Sequence, residues 1–173
     1  KTFTQLDQDT LALVVSAAHK DRLEPKTWWF PIIGRVPYKG FFSLDDALDT
    51  LINIASSVIG AERGTAFINN RETQELYSRV AQGNLKREIR FMNNKGVAGW
   101  VFTHNEGAIV HEAYKDERFN KSVDMRTGYR TKSILCVPLK TVSGDVIGVT
   151  QLLNKINSKF AKRDLEMLEL ISK

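Results

Sequence analysis

Cysteine is almost missing from this sequence: Cys136 is the single one in 173 residues. A disulfide framework is therefore excluded, and the chain fits a reducing compartment, so a cytoplasmic location is expected. Histidine is nearly as scarce, and His19, His104 and His111 lie far apart in unrelated contexts. Solvated or capping roles are expected for all three. No apolar run is long enough to cross a bilayer and no secretory signal follows Lys1, so membrane insertion is not expected. Asn120-Lys121-Ser122 matches a glycosylation sequon, which carries no meaning in a cytoplasmic chain. A P-loop, a G-x-G-x-x-G turn, a nucleophile elbow and metal-spaced His/Cys pairs are all lacking. No catalytic residue, no metal site and no resident cofactor is therefore expected, and the chain is not read as an enzyme. Cys136 lies inside an apolar strand and reads as a small core residue.

Charge of one sign is also not concentrated anywhere. The net charge is +5 and the pI near 9.4, but the basic residues alternate with acids in "KREIR", "YKDER" and "MRTGYRTK". Without a basic stripe, a recognition helix or an aromatic RNA-binding signature, a nucleic-acid partner is not expected.

What is present is one domain's worth of core, 42% hydrophobic, preceded by an extension. Residues 1–27 are helix-prone without a clean period, and Pro25 ends them. "WWFPIIGRVPYKGFF" (28–42) is too rich in Pro, Gly and aromatics to continue a helix. This stretch resembles a segment of bacterial zinc aminopeptidases. Such an enzyme needs H-E-x-x-H, and His111-Glu112-Ala113-Tyr114-Lys115 has lysine where the second ligand belongs.

From residue 43 to 173 the pattern is regular. Ser43 is placed to cap a helix with Asp45 and Asp46 in its first turn. Leu44, Leu48, Leu51, Ile52, Ala55, Val58 and Ile59 share one face of it, and Gly60 stops it. "RGTAFIN" and "LYSRVAQ" read as strands joined by "NRETQE". "REIRFM" reads as a third strand, with Ile89 and Phe91 on one side of the pleat. "KGVAGWVFTHN" is a short helix opening on glycine and "GAIVH" a brief strand. "YKDERFNKSVDMRTGYRT" is a polar excursion with one helical turn. "SILCVPLK" and "DVIGVTQLLNK" are apolar strands around the hairpin turn Ser143-Gly144. A final helix buries Leu165, Leu168 and Ile171. Its "LEMLELISK" reads as a helix cut mid-course, so a larger parent protein is expected. The fold class is α+β, with helices on one face of the sheet and a loop-helix excursion on the other.

A pocket signature runs through this pattern. Gly96 at a helix start leaves the amides of Val97 and Ala98 free to meet an anion. Asp124, Thr127 and Thr131 are spaced for one face of a short helix and its exit, suited equally to capping and to a ribose or base edge.

"AERGTAFIN", "KGVAGWV" and "FNKSVDMRTGYRTKSILCVPLKTVSGDVIGVTQLLNK" together resemble a GAF domain. They are most similar to the cyclic-nucleotide-binding GAF domains of phosphodiesterases and cyanobacterial adenylyl cyclases. The resemblance implies a six-stranded antiparallel sheet with helices on both faces and a regulatory pocket for cAMP or cGMP. In that pocket Thr65 lies under the ligand and Gln82 meets the purine edge. The Val97 and Ala98 amides and Asn120 hold the cyclic phosphate. Asp124, Thr127 and Thr131 line the lid, and Gln151 closes the far side. Ala81 stands where relatives stack an aromatic on the base, and the neutral Gln82 leaves the purine open.

The resemblance also assigns Asn154, Lys155, Phe160 and Asp164 to an N-K-F-D-E signature supporting the pocket from outside, with Leu165 in place of the closing Glu. An ion pair between Lys155 and Asp164 and backbone bonds from Asn154 are expected. Two functions follow: a sensor signalling to an output domain elsewhere, or a dimerisation and signal-relay module with no nucleotide or with a different small-molecule ligand; a homodimer is expected in either case.

Overall fold

The computed structural model describes residues 44–83, 88–141 and 143–172. The extension 1–42 and the Ser43 cap lie outside the described residues. Helix α1 spans Leu44–Ile59. Strands β1 (Ala61–Asn70), β2 (Glu75–Ala81) and β3 (Arg90–Met92) follow, then helix α2 (Gly96–His104) and strand β4 (Ala108–Val110). A 3-10 turn at Ala113–Lys115 leads to helix α3 (Lys121–Thr127). Strands β5 (Ile134–Lys140) and β6 (Val146–Lys155) and helix α4 (Lys162–Ile171) complete the order.

The six strands form one sheet in the order β3-β2-β1-β6-β5-β4, and every neighbouring pair is antiparallel. β6 returns to lie beside β1, so the longest strands form the middle, where both neighbours satisfy their backbone groups. Two-residue alternation splits the side chains between two faces. Ala55, Ile59, Leu135, Val137, Leu152, Phe160, Leu168 and Ile171 pack where α1 and α4 cover one face. Phe67, Val97, Val101, Ile134, Cys136 and Val149 pack on the other, beneath α2. Helices on both faces are thus observed.

Several elements differ from the sequence reading. Leu44 and Val58, assigned to the buried face of α1, are 57% and 40% exposed. Each is turned away from the packed core, since the next residue after Val58, Ile59, is buried. The third strand is reduced to three residues, although Ile89 and Phe91 do pack together against the α2-side core. The polar excursion holds a seven-residue helix and not one turn. Cys136 is fully buried, and burial pushes its thiol pKa up, so it packs as a small hydrophobe. His104 closes α2, with Nδ1 2.9 Å from the Trp100 carbonyl. No described helix is long and apolar enough to cross a membrane.

Candidate functional site

A cavity of about 80 Å3 lies between the sheet and the α2–α3 layer. Thr65, Phe67, Ile134, Gln151 and Leu153 form its floor from β1, β5 and β6. Gly96, Val97 and Ala98 border it from α2, and Asn120, Val123, Asp124 and Thr127 from α3 and its cap. Arg63, Gln82, Ile89, Phe91, Phe119, Tyr129 and Thr131 complete the wall. All nine residues named from the sequence (Thr65, Gln82, Val97, Ala98, Asn120, Asp124, Thr127, Thr131 and Gln151) therefore reach one cavity. Their individual settings differ.

Thr65 and Gln151 are cross-strand partners, which places them side by side on the floor. At the start of α2, Gly96 has φ +76, a conformation a side chain would strain. Lys95 precedes it without making a side-chain cap. The first internal bond is Gly99 N–H to the Lys95 carbonyl at 3.1 Å. The amides of Val97 and Ala98, just before it in the first turn, have no intrahelical acceptor and carry the positive end of the helix dipole. A Cβ built on Gly96 would lie 3.5 Å from Asn120 Cβ, so Asn120 adjoins these amides. Asn120 Oδ1 is used as the α3 cap, accepting from Ser122 N–H at 3.1 Å and Ser122 Oγ at 2.7 Å.

Asp124 is buried and serves the lid's own architecture. Its carboxylate accepts from Thr131 Oγ1 and Thr131 N–H, both at 2.7 Å, and from Tyr114 OH at 3.1 Å. Thr127 Oγ1 donates to the Val123 carbonyl at 2.9 Å. Capping and turn formation, one of the two readings of this trio, thus occupies the polar atoms of Asp124.

Gln82 departs most from its assigned role. Thr65 pairs with Ala81, so Gln82 falls opposite Gly64, on the side facing α1. Its Oε1 accepts from Gly64 N–H at 2.7 Å, and its Nε2 donates to Asn53 Oδ1 at 2.7 Å and Ser56 Oγ at 2.9 Å. The amide is committed to α1 and offers no free edge to the cavity. Strand register, invisible before the sheet is assembled, decides this.

Behind the cavity, Lys155 Nζ and Asp164 Oδ1 are 3.0 Å apart, with side chains 14% and 17% exposed. Lys155 Nζ also donates to the Ile59 carbonyl, and Asp164 Oδ2 accepts from Ala161 N–H at 2.9 Å. Phe160 is buried beneath the Lys155 ammonium. Asn154 Oδ1 accepts from Lys132 N–H at 2.6 Å and Ser133 N–H at 3.2 Å. Its Nδ2 donates to the Arg130 carbonyl, Tyr129 OH and Glu62 Oε2 at 2.9 to 3.0 Å. Those last two partners were not legible in the sequence. Hydrogen bonds from Asn154 and then Tyr129 hold the Glu62 carboxyl below its ordinary pKa. Burial and the Glu62 carboxylate push the Tyr129 phenol up.

Arg63, Phe119 and Tyr129 are among the lining residues that the sequence reading did not single out. Arg63 was accessible in principle, since it sits two residues before Thr65 and shares its face of the strand. Among the described residues no group of His, Cys, Asp and Glu could hold a metal ion.

An antiparallel six-stranded sheet with α1 and α4 behind it and a cavity roofed by α2 and α3 defines a GAF-type domain. The GAF domain family model matches residues 43–173, and the chain belongs to that family. An aminopeptidase family model matches residues 1–58. "Probable 3',5'-cyclic phosphodiesterase pde-5" of Caenorhabditis elegans is 33% identical over 152 residues, covering 81% of this chain and 21% of that protein. "Dual 3',5'-cyclic-AMP and -GMP phosphodiesterase 11" of Drosophila melanogaster is 46% identical over 82 residues, covering 47% of this chain and 6% of that protein. The chain thus spans about a fifth or less of these relatives. Among solved structures, the GAF domain of a phosphoenolpyruvate-protein phosphotransferase from Coxiella burnetii superposes with a TM-score of 0.69 at 15% identity, covering 98% of this chain and 90% of that one. Free methionine-R-sulfoxide reductase from Neisseria meningitidis, in complex with its substrate, gives 0.66 at 15% identity, covering 99% and 89%. One fold therefore serves proteins of different named activities, and function has to be argued from the site.

Proposed function

We propose that this GAF domain is a regulatory sensor whose cavity binds a cyclic nucleotide, cAMP or cGMP, and signals to an output domain outside this sequence. The observation that carries the reading is convergence. Nine residues spread from Thr65 to Gln151, four of them expected from the resemblance and five from local pattern as well, all line the same cavity. The kinship with cyclic-nucleotide phosphodiesterases supports it. The cyclic phosphate is assigned to the uncapped amides of Val97 and Ala98, with Asn120 adjoining Gly96. A cavity of about 80 Å3 is well below the roughly 300 Å3 at which small-molecule pockets begin. Ligand entry on this reading widens the cavity, and the α3 layer that roofs it is the element we assign to that change.

Calorimetry with each nucleotide tests the reading. Ala98→Pro removes one of the two amides while leaving a helix first turn that tolerates proline. The expected outcome is loss of binding by about tenfold or more, with an unchanged circular dichroism spectrum. Full binding by the variant, or none by the parent chain, refutes the sensor.

A second reading, a homodimerising relay, is favoured by one specific feature. Leu44, Leu51 and Val58 recur every seven residues along α1, and the outer two are exposed. Such spacing forms a stripe suited to pairing with a second helix.

A further inference from the structure

We propose that Arg63, and not Gln82, reads the base edge in this cavity, and that it biases the site toward guanine over adenine. The inference rests on the cyclic-nucleotide reading above and adds the choice of purine to it. Gln82 has spent its amide on Gly64, Asn53 and Ser56. Turning it into the cavity would break all three bonds. Arg63 lies at the same end, because Gln82 N–H donates to the carbonyl of the adjacent Gly64 at 2.9 Å.

Among the described residues the Arg63 guanidinium makes no hydrogen bond and is held by packing. Its Cζ sits 3.9 Å from the centroid of the Tyr129 ring. Gly83 packs against the same group, since a Cβ there would come within 2.9 Å of Arg63 Cζ, and its φ of +106 is one that a side chain would strain. Tyr129 is itself fixed through its hydroxyl, which donates to Glu62 Oε2 at 2.8 Å. Arg63 lines the cavity, and its five N–H donors find no hydrogen-bond acceptor among the described residues. A pre-positioned, donor-only fork facing a cavity selects a ligand edge made of acceptors.

Guanine presents such an edge, with N7 and O6 side by side. Adenine presents N7 beside the N6 amino group, which would set donor against donor. A two-pronged Arg–guanine pair discriminates against the wrong base by about tenfold or more in affinity.

The test is calorimetry on the 173-residue chain with cGMP, cAMP and inosine 3',5'-cyclic monophosphate, which keeps O6 and N7 but lacks the 2-amino group. The expected order is cGMP and the inosine analogue together, about tenfold or more tighter than cAMP. Arg63→Met brings all three within about twofold of one another. Arg63→Lys, which keeps the charge and the fold but loses the fork, also loses most of the preference. Equal wild-type affinities, a preference for cAMP, an inosine analogue that binds like cAMP, or a preference surviving either substitution would each overturn the proposal. Binding of cAMP and cGMP with equal affinity removes this inference alone, whereas no binding of any of the three removes the cyclic-nucleotide reading with it.

Discussion

Asn154 has φ +56, in the left-handed region where a short polar side chain is tolerated because it bonds locally. Its amide joins the exit of the lid (Tyr129, Arg130, Lys132, Ser133) to Glu62 at the start of β1. Asparagine meets both demands, offering an acceptor for two backbone amides and two N–H donors shared among a carboxylate, a phenol and a carbonyl. The Glu62 link is pH-sensitive in a definite direction. Its carboxyl pKa is lowered in the fold by Asn154 and Tyr129. Such a group stabilises the folded state above its unfolded pKa, and the contribution disappears as pH falls through the lowered folded value. Solvent screening keeps the effect small, because Glu62 is exposed. The wild-type melting temperature should therefore fall more steeply below about pH 4.5 than that of Glu62→Gln, as followed by calorimetric melts from pH 6 to pH 3. Parallel curves would mean that the bond contributes nothing.

Among elements, β6 is the junction. Its last two residues face different ways: Asn154 holds the lid exit, while Lys155 holds the ends of both helices on the opposite face. The Lys155 ammonium meets the C-terminal carbonyl of α1 at Ile59 and the first-turn carboxylate of α4 at Asp164, each charge matching the dipole end it approaches. Because the pair is mostly buried, removing one member strands the other. A double-mutant cycle with Lys155→Ala and Asp164→Ala should give a coupling of about 1–3 kcal/mol in urea unfolding. If the pair also supports the pocket, nucleotide affinity will show non-additivity as well. Strict additivity in both measurements would reduce these residues to ordinary surface charges.

For the whole molecule, α1 and α4 lie on the face away from the cavity, packed together. The stripe Leu44, Leu51 and Val58 leaves that layer with apolar surface at both ends of α1. Two-fold association through it is the expected outcome, since cyclic dimers are the commonest closed assembly. Sedimentation equilibrium at high concentration should return twice the chain mass, and the double substitution Leu44→Asp with Val58→Asp should return the chain mass. A monomer in the first measurement would count against the relay reading.

Much of this was determined by the linear sequence. The periods of 2 and 3.6, the glycines at turns and the N-K-F-D spacing are local properties, carried by residues a few positions apart. They placed the strands and helices and pointed to Val97, Ala98, Asp124, Thr127 and Thr131, while Thr65, Gln82, Asn120, Gln151 and the Asn154–Asp164 signature came from the resemblance to GAF domains. Tertiary structure alone decided the rest, because it depends on which residues from distant segments become neighbours. The register of β1 against β2 turned Gln82 to α1, Thr131 closed on Asp124, and Asn154 was brought to Tyr129 and Glu62. Arg63 entered the cavity for the same reason: its partners, Gly83 and Tyr129, lie 20 and 66 residues further along the chain, and no local pattern specifies a contact at that separation.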